Sequence, residues 1–262
     1  MAPCTWTGRY SALPGATYKG KPVGGLGHIG VFSLNRHKNI QCGEGGVAVT
    51  NDPELALRMQ LIRNHAEAVV GSGIPGMTPK SLVNMMGFNF RMTEVEAAIA
   101  LEQLKKLDAL NGRRLELTEH LHRRLEGIEG LVPPKVREEC THIYYMDVYR
   151  FHEEQVGLPR KTVIDAIRAE GAPIWGGYLR PLYLEPLYQQ KTAYKGGYPF
   201  ANNAALTREV DYSRGICPVA ERLYEKETVI NIFNYLPIEK ADVDHIADAI
   251  IKVFSHLDEL RG

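Results

Sequence analysis

The sequence predicts an α/β protein, and three observations support that prediction. Two short runs rich in β-branched residues, at 29–34 and 46–50, are bracketed by glycine or polar turns, as buried strands are. Longer segments with apolar residues at helical spacing follow them. Strand-like and helical segments alternate along the chain, which is typical of α/β folds. The 262 residues, 44% of them hydrophobic, suffice for one large or two modest domains.

Two helices are predicted after the second strand. The first is expected from about Pro53 to Asn64, because Asp52 offers a capping side chain and proline suits the first helical turn. The second begins at Thr93, which forms a capping box with Glu96, and is expected to continue to about residue 125. The segment 69–80 between them contains three glycines and two prolines, so we expect a loop there.

The pattern changes after Gly130. A break at 132–134 is followed by strand-like alternation over 142–151. Helices are expected over 161–170 and 241–257, with a tyrosine-rich irregular region between them. We therefore predict a second, smaller α+β domain from residue 126 onward.

Composition excludes several classes of partner. Lysine plus arginine and aspartate plus glutamate number 31 each, so no net field attracts nucleic acid or an acidic membrane surface. The four cysteines are scattered without a metal-type cluster, as reduced cytoplasmic thiols are, and no apolar run approaches the ~18 to 20 residues that span a bilayer. We expect a cytoplasmic protein that binds no metal, nucleic acid or membrane, with His120, His122, His245 and His256 at its surface.

Lys38 follows the first predicted strand, at the kind of strand end where α/β sheets bind ligands. A desolvated lysine amine, or one beside another cation, sheds its proton and attacks a carbonyl. Ser33, five residues earlier, would present a hydroxyl to a phosphate from the same strand end. Together they indicate a phosphorylated aldehyde such as pyridoxal 5'-phosphate. From residue type alone, a solvated surface lysine is the alternative.

The glycines around this strand have conformational roles. GLGHIG, at 25–30, matches the spacing of dinucleotide-binding loops, but it precedes a predicted strand and not a helix, so we interpret it as a turn. GEGG, at 43–46, supplies the tight path back to the second strand, because glycine tolerates positive φ.

Three blocks of sequence carry a family resemblance. They are GHIGVFSLNRHKNIQCGEGGVAVTNDPELALRMQLIRNHA, GFNFRMTEVEAAIALEQLKKLDALNGRR and CPVAERLYEKE. They resemble the DegT-type sugar aminotransferases, which are fold-type I pyridoxal-phosphate enzymes. The resemblance implies that residues 1–125 are the C-terminal portion of a fold-type I large domain, a mixed sheet with helices that ends in a long connecting helix. Residues 126–262 would form the small α+β domain.

The resemblance also implies roles for single residues. Lys38 falls where the family's cofactor-binding lysine lies, and Ser33 where a phosphate-binding serine precedes it. Asn89 matches an asparagine that reaches the cofactor phosphate of the partner subunit, which implies a homodimer with shared active sites. His65 and Arg91 match positions near the mouth of the site, where substrate contact and structural hydrogen bonding are both open.

Arg180 is the one arginine of the aromatic-rich stretch 174–189. Relatives use this region to hold a sugar nucleotide, so the resemblance implies that Arg180 contacts substrate. Packing of the aromatic side chains in a core is the alternative interpretation.

The region before Lys38 departs from the family. By register, Arg9 takes the position of the acidic residue that pairs with the cofactor's ring nitrogen, and Ala12 that of a histidine or glutamine against the ring. A cation at that position would oppose protonation of the ring nitrogen. The family's upstream strands have no counterpart, so we expect an N-terminally truncated chain.

The resemblance implies a pyridoxal-phosphate-dependent aminotransferase. The amino group would pass from glutamate or glutamine to a keto-sugar nucleotide or a related cyclic ketone. Two alternatives stay open: a truncated, catalytically inactive or regulatory relative, and a dehydratase of the same family. Dehydratases of the family carry histidine in place of the lysine, and His37 adjoins Lys38. The spacing of five residues from both Ser33 and Gly43 selects Lys38.

Overall fold

The structure, a computed structural model, describes residues 14–66, 86–200, 210–231 and 237–261. The predicted loop at 69–80, Arg9 and Ala12 lie outside the described residues. Where the structure describes a helix, none combines the length and apolar character that crossing a membrane requires.

The chain divides into two compact units. The first comprises the described residues of Met1–Glu116 together with Val136–Tyr145, and the second those of Leu117–Lys135 and Met146–Gly262. The division predicted between residues 125 and 126 concerns separate folding domains and stays a prediction.

The first unit contains two antiparallel hairpins. Strand β1 (Thr17–Tyr18) pairs with β2 (Lys21–Pro22), and β3 (Gly30–Ser33) pairs with β4 (Gly46–Val49). Both predicted strands are therefore confirmed. The chain bends at residues 26–28, between a short 3-10 turn (Val23–Gly25) and β3, so the interpretation of 25–30 as a turn is confirmed as well.

The prediction that β3 and β4 are buried is wrong. Val31 and Val47 are 40% and 43% exposed, and the two strands form a two-stranded sheet by themselves among the described residues. An apolar sequence favours a strand, but the strand is buried only where other elements pack on the faces of its sheet.

Helix α1 (Pro53–Arg63) follows β4 as predicted. The Asp52 carboxylate accepts hydrogen bonds from the backbone N–H groups of Glu54 and Leu55, at 2.8 and 3.1 Å, and so caps the first turn. Leu57 and Leu61 form the buried side of the helix.

The second predicted helix is in fact two, α2 (Glu94–Leu104) and α3 (Leu107–Arg124). The Thr93 capping box is present at the start of α2. At the end of α2 the chain tightens, and the Lys106 N–H donates to the Gln103 carbonyl at 3.0 Å, three residues back. Asn111 and Gly112 lie inside α3, because the Asn111 side chain bonds to groups outside the helix and not to its own backbone.

The second unit is built on a four-stranded antiparallel sheet in the order β5-β6-β8-β7. Its elements, in chain order, are β5 (Leu131–Val132), β6 (Asp147–Phe151), α4 (Glu153–Val156), α5 (Arg160–Ala169), β7 (Ile174–Gly176), α6 (Pro186–Gln189), α7 (Pro218–Arg222), β8 (Thr228–Asn231) and α8 (Lys240–Ser255). The two predicted helices correspond to α5 and α8 and are confirmed. The strand predicted over 142–151 is present only from Asp147, because Tyr144 has a left-handed φ of 45°.

A continuous apolar core holds the second unit together. It combines Tyr149 and Phe151 of β6 with the inner faces of α5, α8 and the second half of α3. Val243, Ala247 and Ile250 repeat along α8 at helical spacing and are fully or almost fully buried.

The prediction that His120 and His122 of α3 lie at the surface is wrong. The side chains of His120 and His122 are 14% and 17% exposed, and their Nε2 atoms lie 2.7 and 2.8 Å from carboxylate oxygens of Asp244 and Asp147. Hydrogen bonding to His120, together with Arg124, lowers the pKa of Asp244. The sequence placed these two histidines on a charged face of the helix, because it did not show that α8 and β6 cover them.

Candidate active site

The loop between β3 and β4 carries Lys38. Backbone hydrogen bonds close it in several places: Leu34 N–H donates to the Gly45 carbonyl at 2.9 Å, and Arg36 N–H to the Gly43 carbonyl at 2.8 Å. Gly43 has a φ of 92°, a conformation that glycine adopts readily and residues with a side chain do not. The tight return predicted for the glycines is therefore present.

Apolar side chains anchor this loop to the first unit. Leu34, Ile40 and Cys42 are buried together against Met92 and Leu107. Burial raises the pKa of the Cys42 thiol, and the carboxylates of Glu96 and Glu44 raise it further. The thiol therefore stays protonated at neutral pH and belongs to the packing of the loop.

A buried chain of amides fixes the residue after the lysine. The Asn39 side-chain N–H donates to Asn111 Oδ1 at 3.1 Å, and Asn111 Nδ2 donates to the Pro14 carbonyl at 2.9 Å. Asn39 and Asn111 are 7% and 6% exposed. Gly15 makes room for this chain, because a Cβ there would lie 2.5 Å from Asn111 Nδ2. Neither asparagine was predicted from the sequence to have a role. A polar asparagine inside a predicted helix, at position 111, was the available indication.

The Lys38 amine is half-buried and lies over an aromatic ring. Its Nζ is 4.0 Å from the centroid of the Tyr145 ring. Among the residues that the structure describes, no carboxylate lies within ion-pair distance of this amine. Tyr145 was not predicted as a site residue, because residues 142–151 were expected to form a strand of the second domain, whereas Tyr145 belongs to the first unit.

Ser33 ends β3, on the same loop as Lys38. Its Oγ accepts a hydrogen bond from the Asn35 N–H at 3.3 Å, and no described residue accepts its hydroxyl hydrogen. A hydroxyl able to donate and an amine not neutralised by a carboxylate fit a phosphorylated aldehyde. The described residues contain no group of three or more His, Cys, Asp or Glu that would hold a metal ion.

The structure brings His65, Asn89 and Arg91 together. Asn64 and Asn89 form an antiparallel bridge, the His65 N–H donates to the Phe88 carbonyl at 2.9 Å, and Arg91 Nη1 donates to Asn64 Oδ1 at 2.6 Å. His65 has a left-handed φ of 60°, a conformation that costs a residue other than glycine on the order of 1 kcal/mol. Asn89 is exposed beside two stacked phenylalanine rings.

Arg180 lies in the second unit. It is exposed, and its Nε is 4.0 Å from Glu185 Oε1. Its predicted contact with substrate stays a prediction.

A sequence profile of the DegT/DnrJ/EryC1/StrS aminotransferase family matches residues 11–210. The chain belongs to the DegT/DnrJ/EryC1/StrS aminotransferase family. The family prediction is thus confirmed.

Two curated relatives show how the chain compares with named family members. It is 34% identical over 255 residues to the L-glutamine:2-deoxy-scyllo-inosose aminotransferase of Streptoalloteichus tenebrarius, and 32% identical over 250 residues to the L-glutamine:scyllo-inosose aminotransferase of Streptomyces griseus. The matches cover 95% and 94% of this chain but 58% of each relative. The chain therefore spans little more than half the length of these relatives.

A solved aminotransferase from Psychrobacter cryohalolentis has a similar fold. It superimposes with a TM-score of 0.73 at 26% identity, over 93% of this chain and 60% of its own. The prediction of a mixed helix and sheet fold of the aminotransferase kind is confirmed at that level.

The amide chain predicts a non-additive effect on stability. We expect Asn111→Ala and Asn39→Ala each to lower the free energy of unfolding by about 1–3 kcal/mol, because each leaves a buried polar group unpaired. The double variant should cost less than the sum of the two, by about 0.5–3 kcal/mol. Urea unfolding of the four proteins measures this difference.

Gly112→Ala is the matched control on the same helix. Gly112 is exposed and a Cβ there meets nothing within 4 Å, so we expect stabilisation by about 0.5–1 kcal/mol. Additive costs for the two asparagines would show that they are not coupled.

Proposed function

We propose that this protein is a pyridoxal-phosphate-dependent aminotransferase that transfers an amino group to a cyclic ketone. The observation that supports this most directly is the amine of Lys38, which lies without a carboxylate partner among the described residues on the loop that begins at Ser33. Family membership supports the same reaction. When bound, pyridoxal 5'-phosphate supplies the electron sink that stabilises a carbanion at the reacting carbon.

Lys38 has two tasks in this proposal. Its amine would hold the cofactor until an amino donor takes its place. The freed amine would then remove a proton from the carbon of the donor and return one to the carbon of the acceptor, as a general base and acid. A fixed loop favours this proton transfer, because an amine held close to the reacting carbon acts within one complex.

Ser33 would hold the cofactor phosphate through its hydroxyl hydrogen. Asn89 would reach the phosphate bound by the partner chain of a homodimer. Two features of the structure support that role: Asn89 is exposed, and its neighbours Phe88 and Phe90 are 46% and 65% exposed. Apolar rings exposed beside a polar side chain are typical of a surface that another protein covers.

The substrate-binding residues of the proposal are His65, Arg91 and Arg180. His65 and Arg91 are held beside Asn89 by the contacts of Asn64, so they would line the mouth of a site shared with the partner. Arg180 is an exposed cation in an aromatic-rich stretch of the sequence, 4.0 Å from Glu185, and would pair with the phosphates of a sugar nucleotide.

The names of the relatives support the choice of donor and acceptor. Both curated relatives are named for L-glutamine and for an inosose. We therefore propose glutamine or glutamate as the amino donor and a cyclic ketone, either a keto-cyclitol or a keto-sugar nucleotide, as the acceptor.

The role of Lys38 is tested by trapping. We expect the chain with pyridoxal 5'-phosphate to develop a visible absorbance band, and borohydride to fix the cofactor on the peptide that contains Lys38, as detected by mass spectrometry. Lys38→Ala should lose both signals, whereas Lys19→Ala should keep them, because Lys19 is an exposed lysine of the same unit. A wild-type chain without the adduct would instead be the inactive or regulatory relative.

The reaction is tested on a panel of acceptors. We expect glutamine or glutamate to form an amino product from a keto-cyclitol or from a 3-keto or 4-keto sugar nucleotide, detected by mass spectrometry. Release of water or ammonia without an amino product would identify a dehydratase, and no conversion of any acceptor would contradict the proposed substrate class.

The shared site is tested by complementation between two inactive variants. In a mixed dimer of Lys38→Ala and Asn89→Ala chains, one of the two sites would combine an intact Lys38 with an intact Asn89. We therefore expect the mixture to regain amino transfer that neither variant shows alone. Sites contained within single chains would give no recovery in the mixture.

A further inference from the structure

The contact between Lys38 and Tyr145 is part of neither the cofactor-binding nor the substrate-binding set proposed above. The Lys38 Nζ lies 4.0 Å from the ring centroid, well inside the ~6 Å within which a ring face attracts a cation. The other described lysine over a tyrosine of this unit, Lys19 over Tyr18, lies at 5.5 Å and is exposed. The Lys38 pair is both closer and half-buried.

Backbone hydrogen bonds and a buried neighbour fix the segment that carries Tyr145. The segment that ends at Tyr145 pairs with the first hairpin, since Lys19 N–H donates to the Glu139 carbonyl at 2.7 Å and Thr141 N–H to the Thr17 carbonyl at 3.0 Å. Tyr144 is then 6% exposed and has a φ of 45°. A strained turn with a buried side chain persists only where its surroundings determine it.

A separate set of contacts holds the backbone at the lysine. Its neighbour Asn39 is bonded to Asn111 in the buried amide chain, and the loop is closed by backbone hydrogen bonds. The backbone that carries the amine and the backbone that carries the ring are therefore both held in place. The lysine side chain between them is long and flexible, and the ring face attracts its charged end.

A ring face differs from a carboxylate in what it does to the amine. A carboxylate would accept a hydrogen bond and hold the amine in an ion pair, whereas a ring attracts the cation through its quadrupole and accepts no proton. A contact of this moderate strength would keep an amine near the site without holding it in an ion pair.

We propose that Tyr145 is a positioning residue. Its ring face binds the Lys38 amine whenever that amine is not joined to the cofactor. The proposal rests on the proposed role of Lys38. It assigns the effect to the ring and not to the hydroxyl group, so phenylalanine should replace tyrosine, and an aliphatic residue should not.

The geometry is tested without cofactor by nuclear magnetic resonance. Reductive methylation of the full chain with ¹³C-formaldehyde labels the lysine amines, and the Lys38 signal is assigned by its loss in Lys38→Ala. A ring face shifts methyl protons above it upfield. We expect this shift in the wild type and in Tyr145→Phe, and its loss in Tyr145→Leu and Tyr145→Met.

Tyr18→Leu is the matched control, because it removes the exposed ring beside Lys19 and leaves Lys38 untouched. Circular dichroism shows which variants are folded, and the methionine variant serves where the leucine variant is not. An unshifted Lys38 signal in the wild type, or a shift that survives in the aliphatic variants, would overturn the proposal.

The loaded enzyme gives a second readout. We expect the aliphatic variants to lower kcat by about 10-fold with little change in KM for the acceptor, and Tyr145→Phe to keep kcat within about 2-fold, because the ring positions the amine and does not bind substrate. An equal loss of kcat in Tyr145→Phe would assign the effect to the hydroxyl and overturn the proposal. Failure of Lys38 to form a borohydride-fixed adduct would refute the proposed function, and the resonance shift would still report on the ring contact.

Discussion

A hydrogen bond between two buried asparagine side chains holds the loop of Lys38 to helix α3. Asn39 follows the lysine directly, and Asn111 lies inside the helix, at 3.1 Å from it. A buried amide that loses its partner costs free energy, so the pair fixes the loop more firmly than an exposed contact would. The packing of Leu34 and Ile40 acts in the same direction. The proposed chemistry depends on this constraint, because a lysine that transfers protons must start from one place.

The groups around the Lys38 amine suit a cofactor with a phosphate and an aldehyde. A serine hydroxyl stands at the end of β3, an aromatic ring lies under the amine, and no carboxylate among the described residues neutralises it. Strained backbone conformations occur at His65 and Tyr144, beside proposed substrate-contacting and positioning residues. Strain of this kind accumulates at functional sites, where geometry is held against local preference.

The two units differ in how they bury their apolar residues. The second has a closed core between its sheet and three helices. In the first, the described part of the β3–β4 hairpin and helix α2 keep large apolar side chains exposed, among them Val47, Val95 and Leu101. Exposed apolar surface of this extent is typical of a face that another polypeptide segment covers. The exposed apolar surface of the first unit therefore agrees with the proposal that residues of another polypeptide segment complete the site at Lys38.

Local sequence determined the elements and the chemistry of single residues. The sequence alone predicted the helix caps, the helical segments and the lysine motif, because these depend on neighbours within a few positions. They are the caps at Asp52 and Thr93, the helices α5 and α8, and the motif around Lys38. Only the tertiary structure decided that α3 runs through Asn111, that His120 and His122 are covered, and that Tyr145 lies under the lysine. Those outcomes join residues more than 20 positions apart, and single-sequence periodicity carries no information about such pairs.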